Sequence, residues 1–159
     1  MNEPHFELMQ TVDERAQVYE ELKACNLLRV NMHAWENPQL EDWLELTENG
    51  YCDLYRADGW GIYYLTQGLG VTPWAHFAVW PEARQEAKKF LCAAVSHGFN
   101  IYKFPAVLGL TPKKFRHVFP LLKACRFEIL GTVPGAVSMY GQPADGVISI
   151  FRRTSLWAE

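Results

Sequence analysis

The chemistry of this chain is concentrated between Trp74 and Lys89, where an apolar segment containing one histidine runs directly into a basic segment. His76 is the ionisable side chain of the apolar run Trp74–Trp80, and an imidazole with an ordinary pKa of about 6.5 can take up or release a proton near neutral pH. Pro81 then supplies a backbone angle suited to the first turn of a helix, and Arg84 follows it. Helix N-termini bind anions because their free amides and their dipole both face the ligand. The segment therefore predicts a phosphate site beside a candidate general base.

The elements that must position these residues are a strand and an amphipathic helix. The run Trp74–Trp80 is rich in aromatic residues, as buried strands often are. Apolar residues then recur at helical spacing, namely Ala83, Ala87, Phe90, Leu91, Ala94 and Val95. Gly98 is expected to end the helix. The polar residues of the same stretch fall on the opposite face, namely Arg84, Glu86, Lys88 and Lys89.

The segment Val79–Lys89, which reads VWPEARQEAKK, resembles the acyl-CoA loop of the GNAT acetyltransferase superfamily. In that family a strand ending in Val-x-Pro-Glu runs into Arg-x-x-Gly-x-Gly/Ala. Arg84 matches the arginine of the pattern. Ala87 stands at the first glycine, and Lys89 stands where the family has glycine or alanine.

A second segment, Leu121–Gly131, resembles the family pattern Leu-Tyr-x-x-x-Gly-Phe-x-x-x-Gly. Leu122 replaces the tyrosine and Arg126 replaces the first glycine. The order of the two segments and the strand-helix-strand arrangement around them also fit, so the resemblance covers most of the chain from about residue 51 onward. Similarly diverged GNAT-like proteins are encoded by tailed bacteriophages.

The resemblance implies one α/β (α+β) domain over residues 1–159, with a mixed, mostly antiparallel sheet and flanking helices. The strand of His76 and the following strand, Ile101–Leu110, are expected to be parallel neighbours at its centre. The two strands should splay apart beside the helix of Arg84. A crossover through a helix is long enough to join parallel strands.

The resemblance also implies that acetyl-CoA or CoA binds as a substrate. Backbone groups of Phe77, Ala78 and Val79 would then contact the pantetheine arm. The diphosphate would lie against the following loop, formed by Arg84, Gln85, Glu86, Ala87, Lys88 and Lys89. His76, directly or through water, is the candidate base for a small-molecule or peptide amine acceptor; the alternative is an ordinary strand histidine packed among Trp74 and Trp80. The family's thiolate-protonating tyrosine has no counterpart, because Leu122 cannot titrate.

Two other readings remain open. A catalytically silent GNAT-like protein with a binding, regulatory or phage assembly role would explain the changes at Ala87, Lys89, Leu122 and Arg126. A generic α/β small-molecule binder would use the same helix N-terminus without CoA. The aromatic cluster of Trp60, Tyr63, Tyr64, Trp74, Phe77 and Trp80 either lines an acceptor pocket or packs in the core.

Composition limits the class of protein. The chain has 159 residues, 49% of them apolar, which is enough to form the core of one domain. Its net charge of −3 divides into −9 for residues 1–80 and +6 for residues 81–159, so a basic region could attract a polyanion such as CoA. No signal peptide, long apolar segment, dense basic run or metal-ligand spacing is visible. We therefore expect a cytoplasmic protein without a membrane or nucleic-acid partner and without a bound metal, and the oligomeric state stays open.

The remaining elements follow from shorter patterns. Strands are predicted at Phe6–Gln10, Tyr51–Arg56, Trp60–Thr66, Phe127–Thr132 and Val147–Arg152. Helices are predicted after the capping box of Thr11 and Glu14, from Pro38 to Leu46 with Asn37 as the N-cap, and from Thr111 onward with a kink at Pro120. Turns are predicted at Asn49-Gly50 and Asp58-Gly59. The four cysteines, Cys25, Cys52, Cys92 and Cys125, are scattered and are expected to be separate reduced thiols, while His33, His97 and His117 are expected at the surface or at helix ends.

Overall fold

A computed structural model describes residues 2–48, 50 and 52–156. Within these residues the strands are β1 (Glu7–Leu8), β2 (Cys52–Ala57), β3 (Gly61–Leu69), β4 (Thr72–Val79), β5 (Ala106–Pro112), β6 (Glu128–Met139) and β7 (Gln142–Arg152). The α-helices are α1 (Val12–Ala24), α2 (Leu28–Asn31), α3 (Leu40–Leu46), α4 (Ala87–Ile101) and α5 (Val118–Ala124). Two 3-10 helices span Pro81–Glu86 and Arg153–Leu156. Asn49 of the predicted turn and Tyr51 of the predicted strand lie outside the described residues.

The strands form a seven-stranded mixed sheet in the order β1-β2-β3-β4-β5-β7-β6. Neighbouring strands are antiparallel except β4 and β5, which are parallel. The predicted mixed sheet with a central parallel pair is thus confirmed. The second strand of the pair was predicted from Ile101, but it begins at Ala106 because α4 continues to Ile101.

The helices cover the two faces of the sheet. Helices α1, α2 and α3 pack on one face around Trp43, which is fully buried and donates its indole N–H to the carbonyl oxygen of Arg15 at 2.8 Å. Helices α4 and α5 pack on the other face, where Phe99 and Leu122 join Phe127 and Phe151 in a second core. Successive strand residues point to opposite faces, so each residue of β4 is directed to one core or the other.

Three boundary predictions were wrong for local reasons. Gly98 does not end α4 but lies buried inside it, with the nearest atom to a built Cβ being Leu65 Cδ1 at 4.0 Å. Thr111-Pro112 ends β5 instead of starting a helix. Pro120 falls in the first turn of α5, where an amide hydrogen has no partner within the helix, and therefore no kink is needed.

The capping predictions were right for α1 and shifted for α3. Thr11 Oγ1 accepts from the Glu14 amide at 3.2 Å, and the Glu14 carboxylate accepts from the Thr11 amide at 2.8 Å. Helix α3 has Gln39 as its N-cap instead of Asn37, because the Asp42 carboxylate accepts from the Gln39 amide at 2.7 Å.

The hairpin of β6 and β7 is much longer than the two short strands predicted from the sequence. Its turn at Tyr140-Gly141 has positive φ at both residues, 54° and 82°. The Tyr140 amide donates to the carbonyl oxygen of His33 at 2.8 Å, so the tip of the hairpin docks on the segment that follows α2. None of the described helices is long and apolar enough to span a lipid bilayer.

Candidate functional site

Strand β4 has one open side. Its residues Phe77, Ala78 and Val79 are in register with β3, yet within the described residues the register with β5 consists of the single pair Trp74 and Leu108. Alternate residues of a strand that pairs on one side direct their N–H and C=O groups to the other side. The backbone of β4 beyond Trp74 therefore offers hydrogen-bonding groups to a ligand lying between β4 and β5.

The predicted diphosphate residues lie together at the end of β4. The chain first forms the 3-10 helix Pro81–Glu86, and α4 starts only at Ala87. The prediction that the α-helix starts at Pro81 was therefore wrong by six residues. Two amides of this turn already have intrachain partners, since Ala83 donates to Trp80 at 3.0 Å and Ala87 donates to Arg84. Fewer amides are thus free for an anion than in an open glycine-rich loop.

Side chains supply the positive charge at this helix start. Arg84, Gln85, Glu86 and Lys88 are exposed, whereas Ala87 and Lys89 are partly buried. Lys89 Nζ lies 2.9 Å from the Glu3 carboxylate and 5.6 Å from the centre of the Trp60 ring. Because an exposed ion pair of this kind contributes little, usually under about 1 kcal/mol, Lys89 can exchange Glu3 for an anionic ligand.

The His76 side chain lies on the face of the sheet opposite to α4, and it points towards α2 and α3. Its ring stacks on the buried Tyr64 ring at 4.5 Å between centroids and 7° between planes, and its Nε2 lies 3.2 Å from Thr66 Oγ1. Burial, and to a lesser degree the charge that His33 can carry, lower the pKa of His76 to about 4. The imidazole is therefore neutral, and able to accept a proton, throughout the neutral pH range.

His33 lines the same pocket as His76, a cavity of about 310 Å³ that also involves Trp35, Thr66 and Trp74. We call this cavity the histidine pocket. The Nδ1 atom of His33 lies 2.8 Å from the carbonyl oxygen of Ser138. A carbonyl only accepts, so Nδ1 carries the hydrogen and Nε2 of the neutral ring keeps its lone pair. The sequence reading placed His33 at the surface or at a helix end, and no local signal reveals a contact that spans 105 residues.

A second cavity of about 310 Å³ adjoins the histidine pocket and shares Trp35 and Leu46 with it. Among the residues that the structure describes, its other lining residues are acidic, namely Asp42, Glu45 and Glu48. We call it the acidic pocket. Carboxylates grouped beside an apolar wall attract cations, so the two cavities together suit a positively charged, amine-bearing molecule.

Most of the other residues singled out in the sequence are packed in the core or held by a neighbouring side chain. Leu122 is buried in the core and Tyr63, Tyr64, Trp60 and Trp80 are buried as well, whereas Trp74 is partly buried in the wall of the histidine pocket. His97 is held by the Tyr63 hydroxyl, which lies 2.5 Å from His97 Nδ1. Across residues 2–48, 50 and 52–156, no group of three histidine, cysteine or acidic side chains is placed to hold a metal ion.

The lowered pKa of His76 predicts a pH-dependent stability. Between the unfolded value of about 6.5 and the folded value of about 4, the unfolded chain binds more protons, so the free energy of unfolding falls as the pH drops through this range. The loss should reach roughly 3 kcal/mol at most. We expect the variant His76→Gln to lose less stability than the parent between pH 7 and pH 4 in urea titrations. Burial also lowers the pKa of His97, which stays in both proteins, so the difference isolates His76; equal losses would contradict the assignment.

A single domain with this strand order, one parallel pair that separates beyond Trp74 and helices on both faces has the fold of the GNAT acetyltransferases. No protein-family model and no curated protein matches the sequence.

Solved structures match the fold over nearly the whole chain. A spermidine N-acetyltransferase from Vibrio cholerae, in complex with CoA and spermine, aligns at a TM-score of 0.71 and 13% identity over 96% of this chain and 98% of that chain. An N-acetyltransferase from Staphylococcus aureus aligns at a TM-score of 0.75 and 9% identity, over 93% of this chain and 96% of that chain. The ribosomal-protein-S5-alanine acetyltransferase from Vibrio fischeri aligns at a TM-score of 0.69 and 10% identity, over 100% of this chain and 97% of that chain. At these identities the likeness establishes the fold.

Proposed function

We propose that this protein is an acyl-CoA-dependent N-acyltransferase that transfers an acyl group, with acetyl-CoA as the donor, directly to an amine. The observation that carries the proposal is the open side of β4, which leads from the basic start of α4 to the histidine pocket. A thioester bound along this open side would have the histidine pocket, where the amine would bind, at one end and the basic start of α4, where the diphosphate would bind, at the other. The solved acetyltransferases of the same fold support this reading.

The residues of this chain divide the work between binding and proton transfer. Backbone groups of Phe77, Ala78 and Val79 would hold the pantetheine arm, and Arg84 with Lys88 would neutralise the diphosphate. Holding both reactants in place supplies much of the rate acceleration in a direct transfer. The amine nitrogen attacks the thioester carbonyl carbon, the carbon–sulfur bond breaks, and the thiolate takes a proton from solvent because residue 122 is leucine.

The proton released by the amine needs an acceptor in the histidine pocket. His76 is neutral at physiological pH, but its low pKa makes it a weak base towards an alkylammonium group, whose pKa is near 10. His33 lines the same cavity, and its Nδ1 is occupied by the carbonyl oxygen of Ser138, which leaves Nε2 as its basic nitrogen. We assign proton acceptance to His76, directly or through water, because its neutral ring lines the pocket, and we assign His33 as the second basic group.

The acceptor is a small-molecule or peptide amine. A free amine reaches the site mainly as a cation, and the acidic pocket next to the histidine pocket favours a molecule with a second positive charge. A cytoplasmic location belongs to this proposal, because the free thiols of Cys25, Cys52, Cys92 and Cys125 suit a reducing compartment.

A catalytically silent GNAT-like protein, with a binding, regulatory or phage assembly role, is the second candidate. The 3-10 turn that engages two of the loop amides favours it, as does the Cβ of Ala87 where a glycine would let the phosphate approach. The two proposals differ first in whether CoA binds.

Binding of CoA is tested by thermal unfolding. Ligand at one hundred times its dissociation constant stabilises a folded protein by about 2.7 kcal/mol, which raises the melting temperature by several degrees. We expect this rise with CoA or acetyl-CoA, and we expect Arg84→Glu to reduce it by reversing a charge at the helix start.

Lys103→Glu is the matched control, because Lys103 is exposed just beyond the opposite end of α4 and the change in net charge is the same. An equal effect of both reversals would mean that the reduction reflects net charge instead of a site at Arg84. No rise with millimolar CoA would favour the silent protein.

A further inference from the structure

Two cysteines that are 33 residues apart in sequence meet between α4 and α5. Cys92 lies in the second turn of α4, Cys125 is the C-cap of α5, and their Sγ atoms are 3.0 Å apart and share a hydrogen bond. A disulfide bond is about 2.05 Å long, so the sulfurs need to approach by only about 1 Å. The sequence predicted separate thiols, and the fold makes this pair.

The two thiols have different surroundings, which suits two different roles. Cys92 is partly exposed, and its pKa is lowered to about 7, first by the hydrogen bond with Cys125 and then, against burial, by the charges of Lys88 and Arg126. Cys125 is buried, and the hydrogen bond with Cys92 and burial raise its pKa. A thiolate that solvent can reach reacts with oxidants, and a neighbouring thiol resolves the product.

The other two cysteines lack this arrangement. Cys52 is buried, and burial raises its pKa to about 12. Cys25 is partly buried at the C-cap of α1, on the other face of the sheet. They serve as internal references, because they belong to the same chain and experience the same oxidant.

We propose that Cys92 and Cys125 are a redox site that forms a reversible disulfide when the protein meets a hydroperoxide. The Cys92 thiolate attacks a peroxide oxygen, the O–O bond breaks, and a sulfenic acid and hydroxide result. The Cys125 thiol then attacks the sulfenic sulfur, water leaves, and the S–S bond forms. Two thiols and one hydrogen peroxide thus give one disulfide and two waters, and a dithiol restores both thiols.

The disulfide would act next to the basic helix start. The Cys125 thiol accepts from the Cys92 thiol and donates its own hydrogen to the carbonyl oxygen of Lys88 at 3.5 Å, and both hydrogens are lost when the S–S bond forms. The bond would join the first turns of α4 to the end of α5. Formation of the disulfide itself does not depend on acetyl transfer, so its test stands apart from the proposed function.

The test uses the folded variant Cys25→Ala, Cys52→Ala, which keeps only the pair. After treatment with a slight excess of hydrogen peroxide, we expect intact-mass analysis to show the loss of two hydrogens and peptide mapping to show Cys92 linked to Cys125. The peroxide is then removed and the protein is unfolded in guanidinium, so that buried thiols also react; alkylation of both residues by iodoacetamide should fall about tenfold and return after dithiothreitol. The unmodified chain should give the same link with Cys25 and Cys52 still alkylated.

A Cys125→Ala variant adds an independent reading. Without a resolving thiol, Cys92 should accumulate as a sulfenic acid that dimedone traps. The proposal is overturned if both cysteines remain fully alkylated after peroxide, or if the link forms only in urea. Oxidation of Cys92 to a sulfinic acid without a link would overturn it as well.

Discussion

Replacing His76 with alanine should reduce turnover by roughly 10²-fold to 10⁴-fold and leave the affinity for CoA nearly unchanged, because proton acceptance contributes to the transition state of transfer. The measurement is steady-state acetylation of an amine identified as an acceptor, with CoA affinity measured separately. His117→Ala is the matched control, since His117 is exposed and does not line the histidine pocket.

The outcome that removes His76 from the mechanism is a folded His76→Ala protein with full activity. His33 then becomes the residue to change. If His76 is only a packed strand residue, the substitution lowers the melting temperature through lost stacking on Tyr64 while turnover per folded molecule stays near that of the parent.

Replacing Gly61 with alanine should lower the free energy of unfolding by about 3–5 kcal/mol. Gly61 has a φ of +153°, and a Cβ built there lies 2.1 Å from the backbone oxygen of Ala78. That contact is with backbone, so β4 must move away from β3 at the residues proposed to hold the pantetheine arm. Urea unfolding measures the loss, and the thermal shift with CoA should shrink in the same protein.

Gly98→Ala is the matched control for that substitution. Gly98 lies inside α4 without a positive φ, and the nearest atom to its built Cβ is 4.0 Å away. Alanine should stabilise the helix there by about 0.5–1 kcal/mol. A Gly61→Ala protein as stable as the parent would show that β3 and β4 do not approach as closely as described.

The centre of the fold was predictable because its signals are local. The apolar run through His76, the Pro81-Glu82 pair and the helical spacing after them specify a strand, a turn and a helix, and this unit requires a parallel partner. The hairpin at Asp58-Gly59 was equally clear. The sequence underestimated the length of the β6 and β7 hairpin because Pro134 and Gly135 look like strand breaks, whereas the edge strand accommodates them at a register shift between Val133 and Val137.

The candidate site was predictable only where it lies on one element. His76 and the basic residues from Arg84 onward follow directly from the strand and the helix. His33 depends on a hairpin tip more than 100 residues away, and the Cys92 and Cys125 pair depends on the packing of α4 against α5. Contacts of this kind come from tertiary structure, and neither spacing nor periodicity encodes them.

Acetyl transfer itself gives the most direct test of the proposed function. The protein is incubated with isotope-labelled acetyl-CoA and a panel of monoamines, diamines, polyamines and lysine-containing peptides, and products are identified by mass spectrometry. We predict a labelled N-acetyl product whose formation requires the protein and falls with His76→Ala, with higher yields for acceptors that carry a second positive charge. No labelled product from any acceptor class, in a folded protein that also shows no thermal shift with CoA, would contradict the account.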